Sequence, residues 1–165
     1  MSDIIRALII EDNRIEALVT QKWLTSNKEM ALEVEWVETL EAGLERIARG
    51  GLDVIILDLN LPDSTGLQTF VTLRQRASGI PIIVLTGEYD ESVGILAVKQ
   101  GAEEYLIKQQ LEPPTLPRIV RYAVTRHKTQ VEQITKNIRN ITGRVISFLG
   151  AKGGVGTTTV ALNVA

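Results

Sequence analysis

Apolar residues are distributed along the chain in short, nearly continuous runs separated by stretches of helical spacing. The runs "RALII" (6–10), "DVIIL" (53–57), "PIIVLT" (81–86) and "RVISFL" (144–149) are rich in Ile, Val and Leu. Continuous rather than alternating apolar runs mark strands covered on both faces, as in a parallel sheet. Two weaker strands fit at "LEVEWV" (32–37) and "EYLIK" (104–108). Between them, "NRIEALVTQKWLTS" sets Ile15, Leu18, Val19 and Trp23 on one helical stripe. "TLEAGLERIARGG" groups Leu40, Leu44 and Ile47 behind a Thr39 cap and ends in glycines. "DSTGLQTFVTLRQRASG" repeats the plan with Leu67, Phe70, Val71 and Arg74, and "DESVGILAVKQG" closes on Gly101. Strand and helix alternate five times from residue 3 to about 127. This predicts a doubly wound α/β domain over 1–127.

From Pro117 the period changes. Val120, Val124, His127, Val131, Ile134, Ile138 and Ile141 are spaced by alternating fours and threes, a heptad seam. One long final helix is expected, its first half covering the sheet. Its second half, 128–143, would pair with another copy as a coiled coil, because nothing in its own domain remains to bury it. A third segment, 144–165, starts with the last apolar run.

Composition narrows the function classes. Of 165 residues, 44% are hydrophobic and 23% charged, the balance of an ordinary globular protein. A net charge of −2 gives no reason to expect non-specific nucleic-acid binding. The basic residues Arg118, Arg121, Arg126 and Lys128 spread around a helix, so a solvated face is expected rather than a DNA contact. There are no cysteines, which excludes disulfides and thiolate metal sites and agrees with a reducing cytoplasm. No run approaches the ~18–20 apolar residues of a membrane span, and the apolar N-terminal run is too short for a secretory signal.

Candidate chemistry lies where the strands end. Ligands of open parallel sheets bind outside the carboxyl ends of the strands, where strand order reverses. Those ends carry Glu11 and Asp12, then Asp58 and Asn60, then Thr86, then Lys108. Asp58 is embedded in "VIILDLNL", where an unpaired charge is costly. Neighbouring carboxylates repel and call for a cation, and oxygen donors without His or Cys favour Mg2+. With such an ion a carboxylate can attack phosphorus, while lysine and hydroxyl groups stabilise the transferred group.

Residues 4 to 127 resemble the receiver domain of two-component response regulators. The resemblance implies a five-stranded parallel sheet of order 2-1-3-4-5, a flavodoxin-like arrangement. It implies Glu11 and Asp12 as metal-binding acids, Asp58 in "DLNLPDSTG" as phosphoacceptor, and Asn60 as a metal ligand through its carbonyl. It likewise implies Thr86 as switch hydroxyl, Lys108 as the phosphoryl-contacting lysine and Tyr105 as switch aromatic. A signalling domain rather than an enzyme is expected, with a sensor histidine kinase or phosphotransfer protein as donor and a homodimer for output. Most receivers place proline after the lysine, whereas Gln109 stands here. A non-proline cis bond costs about 2.5–4 kcal/mol, so a trans peptide is expected.

"GAKGGVGTTTV" (150–160) resembles the deviant Walker loop of Min/Par-type ATPases, of the branch that localises pilus-assembly machinery. The resemblance assigns nucleotide binding to Lys152, Gly153, Gly154, Gly156 and Thr158. An alternative reading follows: the amino-terminal piece of a receiver–ATPase fusion acting in localisation. The segment alone is expected to be inactive toward ATP.

Overall fold

The computed structural model describes residues 4–26, 31–87 and 91–151, with the side chains of residues 91 and 140–151 outside the description. The chain forms two compact units, one up to His127 and one from Lys128.

The first unit alternates strands and helices. Strand β1 (Ile5–Ile10) leads to α1 (Arg14–Thr25), β2 (Leu32–Val37) to α2 (Leu40–Ala48), and β3 (Val54–Leu57) to a short hairpin. The hairpin consists of β4 (Asn60–Leu61) and β5 (Ser64–Thr65) and precedes α3 (Leu67–Arg76). Then come β6 (Ile82–Thr86), α4 (Glu91–Lys99), β7 (Glu104–Ile107), a 3-10 turn at Lys108–Gln110 and α5 (Thr115–Ala151). The main sheet is parallel, in the order β2-β1-β3-β6-β7. With the hairpin counted apart, this is the predicted order 2-1-3-4-5, and the fold is flavodoxin-like.

The continuous apolar runs are explained by two cores. Successive side chains of a strand point to opposite faces. Leu8, Ile10, Ile55, Leu57, Ile82 and Val84 therefore meet helices α2, α3 and α4 through Leu40, Ile47, Phe70, Leu73 and Ala97. Their neighbours Ala7, Ile9, Val54, Ile56, Ile83 and Leu85 meet α1 and α5 through Ala17, Leu24, Leu116, Val120 and Val124. The first half of α5 thus covers the sheet, as its spacing predicts.

Two expectations need correction. Of the stripe expected on α1, only Trp23 packs on the core, while Ile15, Leu18 and Val19 face outward, exposed by 73%, 53% and 39%. The rest of the inward face is Ala17, Thr20 and Leu24. Two small side chains let this helix lie close to the sheet, and the larger apolar residues on the other side then have nothing to cover. The second correction concerns residues 144–149, expected as a strand, which continue α5 as helix. A strand needs a neighbour for its backbone N–H and C=O groups, whereas a helix satisfies them within the segment.

Local chemistry sets the helix starts near the strand ends. Asn13 caps α1, its Oδ1 accepting from Ile15 N at 3.0 Å. Thr39 caps α2 as expected, accepting from Ala42 N. The Asp63 carboxylate, from the turn between β4 and β5, accepts from Leu40 N and Glu41 N at 2.9 Å each. That carboxyl lies below its ordinary range: slight burial opposes its charge, but the backbone donors outweigh it. Gly66, at φ 66°, supplies the left-handed residue that turns the chain into α3.

Gly43 is the tight point between α2 and β1, since a Cβ there would sit 2.5 Å from Ile10 Cδ1. Gly43→Val overpacks this core and should lower unfolding stability by about 1–3 kcal/mol, read as a reduced urea midpoint. An unchanged midpoint would show that the core yields freely here.

Candidate functional site

Register brings the strand ends together. Ile10 is paired with Leu57, so the residues that follow them, Glu11 and Asp58, leave adjacent central strands side by side. Asp58 N donates to Ile10 O at 2.9 Å, and Glu11 N donates to Val37 O at 3.0 Å. Both carboxylates are buried, at 3% and 7% exposure for the two residues. At the far side Ile107 pairs with Thr86, and Lys108 follows at the start of the 3-10 turn. No peptide among the described residues is cis, so Lys108–Gln109 is trans, as expected.

One lysine joins the acids. Lys108 Nζ donates to Glu11 Oε2 at 2.5 Å and to Asp58 Oδ2 at 2.5 Å, and it also donates to Glu16 Oε2. Backbone donors occupy other carboxylate oxygens: Asn60 N meets Asp58 Oδ1 at 2.9 Å, and Asn13 N meets Glu11 Oε1 at 3.1 Å. The Trp36 indole donates to the Glu11 carbonyl at 2.7 Å, pinning the backbone beneath the acid. The carboxylate oxygens of Glu11, Glu16 and Asp58 lie within 4.8 Å of one another.

The electrostatics follow from three negative charges meeting one positive charge. Burial, helped by the charge on Asp58, pushes the Glu11 carboxyl up to about 7, although Lys108 pulls the other way. For Lys108 burial disfavours the ammonium, but the hydrogen bonds to Asp58, Glu11 and Glu16 outweigh it and hold the pKa above the ordinary range. Lysine therefore stays charged and the cluster keeps an excess of negative charge. The donor set, all oxygen and partly desolvated, fits a hard divalent cation.

The other residues named from sequence are placed as follows. Asp12 is exposed and is not among the three clustered acids. Asn60 is exposed, with its backbone N–H on Asp58. Thr86 is buried at the carboxyl end of β6. Tyr105 is half-buried on β7 and packs on Gly94 of α4, where a Cβ would come within 2.8 Å of the ring. Lys152, Gly153, Gly154, Gly156 and Thr158 lie outside the described residues. Glu16 was not anticipated. Its one sequence signal is position: it lies in the first turn of a helix that starts at a strand end, so it returns over the sheet edge.

Comparison with known proteins agrees with this geometry. Residues 7–121 match the family profile of the response regulator receiver domain. The KDP operon transcriptional regulatory protein KdpE of Escherichia coli is 40% identical over 101 residues, covering 61% of this chain and 43% of that protein. The cell cycle transcriptional regulator CtrA of Caulobacter vibrioides is 31% identical over 150 residues, covering 89% of this chain and 60% of that protein. The chain thus spans less than two thirds of either relative. A response regulator receiver domain from Clostridium thermocellum superposes with a TM-score of 0.67 at 26% identity, covering 76% of this chain and 98% of that one. A CheY-like receiver from Methanospirillum hungatei gives 0.68 at 22% identity, covering 78% and 99%. The acid cluster at the switch point of a β2-β1-β3-β6-β7 sheet is therefore found in a chain that belongs to the response regulator receiver domain family.

Proposed function

We propose that Asp58 accepts a phosphoryl group from the histidine of a sensor kinase or phosphotransfer protein, in a cytoplasmic two-component phosphorelay. The observation that carries this reading is the 2.5 Å contact of Lys108 Nζ with a buried Asp58, inside a cluster rich in negative charge. In the transfer, an Asp58 oxygen attacks phosphorus and the P–N bond breaks. The leaving imidazole keeps the bonding pair and takes up a proton. Lys108 and the Thr86 hydroxyl each bond a phosphoryl oxygen, stabilising charge where it develops. Glu11, Asp12, Asp58 and the Asn60 carbonyl are the residues that would hold Mg2+. That ion, when bound, draws charge from the phosphoryl oxygens and offsets the excess of carboxylates.

The output follows from a population shift. Phosphorylation adds charge at Asp58 and favours the conformer in which Thr86 has moved toward it and Tyr105 has changed rotamer. The close fit of Tyr105 on Gly94 supports a coupling of that ring to α4. In the second unit, Val131, Ile134 and Ile138 are exposed by 48%, 58% and 57%, in heptad spacing. Three large apolar side chains in one seam support pairing with a second copy of this helix. Arg126 pairs with Glu103, which supports a solvated surface role for that basic side chain rather than a DNA contact.

With Mg2+ and acetyl phosphate, the protein should gain the mass of one phosphoryl group, and Asp58→Asn should gain none. Uptake by that variant would reassign the acceptor. A double Val131→Asp, Ile138→Asp variant should sediment as a monomer while keeping the circular dichroism of the intact sheet. An oligomeric state shared with the parent would remove the coiled-coil pairing.

A further inference from the structure

Glu16 stands apart from its partners in one respect. Around Lys108 the side chains of Glu11 and Asp58 are 5% and 8% exposed, whereas that of Glu16 is 44% exposed. Glu11 is also held by Asn13 N and Asp58 by Asn60 N, and both follow central strands whose backbones are hydrogen-bonded in register. Glu16 reaches the same ammonium from the first turn of α1, with a side chain free to swing into water. Of the three carboxylates, it is the one that can leave without breaking the core.

An ammonium has three donors, and in this arrangement all three are taken. A phosphoryl group on Asp58 brings further negative charge and oxygens that need a Lys108 donor. Something must yield, and like charges at a few ångströms repel strongly in a partly desolvated site. We propose that Glu16 is a positioning residue, an internal anionic clasp that occupies Lys108 before phosphorylation and must be displaced for the phosphoryl oxygens to take its place. The role rests on Asp58 being the acceptor and goes beyond it. It makes the resting state more reluctant to be modified than the Asp58–Lys108 pair alone would be, and it gives the modified state a carboxylate released at the start of α1.

The test compares the full chain with Glu16→Gln, which keeps the shape and removes the charge. Trp36, hydrogen-bonded to the Glu11 carbonyl, offers fluorescence as a reporter. Each protein is titrated first with Mg2+ and then, in saturating Mg2+, with beryllofluoride, an anionic phosphoryl mimic. The clasp predicts about fivefold tighter beryllofluoride binding, the scale of one partly screened charge interaction, and a Mg2+ midpoint weakened by no more than that same factor. The gain should shrink as ionic strength rises, which loss of packing would not do. Glu16→Ala should reproduce the effect and serves in place of Glu16→Gln if that variant folds poorly. An unchanged beryllofluoride midpoint overturns the clasp. A Mg2+ midpoint weakened by well over about fivefold also overturns it and makes Glu16 a metal ligand instead. No beryllofluoride response from the parent protein overturns the acceptor assignment itself, and the clasp with it.

Discussion

A lysine ammonium shared by three carboxylates obliges the chain to bring four separated segments to one point. Each ion is costly to take from water, and the arrangement is tolerable only when all the partners arrive together. Glu11 and Asp58 come from the ends of the central strands β1 and β3, Lys108 from the end of the edge strand β7, and Glu16 from the helix that follows β1. The parallel sheet meets this demand because every strand points its carboxyl end the same way. The two apolar cores, one on each face, hold the strand ends in register. The chemistry at the rim therefore depends on packing many residues away.

The same arrangement shows why the site is poised rather than neutral. Three acids against one base leave negative charge that only a cation or a proton can offset. The elevated Glu11 carboxyl and the elevated Lys108 ammonium express one fact from two sides: removing charge is favoured at the acid and resisted at the base. Such a site suits the role proposed for Asp58, because a cation bound there would offset the charge that a phosphoryl group adds.

Much of this was legible in the sequence. The apolar runs gave the strands because a strand covered on both faces cannot alternate, and the acids named from strand ends include two of the three that cluster. What escaped detection has physical causes. Helix α1 carries Ile15, Leu18 and Val19 on its outside, so its inward face, Ala17, Thr20, Trp23 and Leu24, does not stand out in a periodicity count. Glu16 sits on a helix, and no strand-end rule reaches it. The run at 144–149 has strand composition, but composition cannot supply the neighbouring strand that pairing requires.

The loop after Asp58 is held on several sides. Asp63 grips the first turn of α2, Thr69 Oγ1 donates to the Leu59 carbonyl at 3.0 Å, and Ser64 and Thr69 share a hydroxyl contact at 2.8 Å. These ties join the loop after β3, the hairpin, α2 and α3 into one braced wall on that flank of Asp58. A wall of this kind works as a stator. If Asp58 takes up the charge proposed for it, this flank is the tied one, and the side left to respond is that of Lys108 and β7.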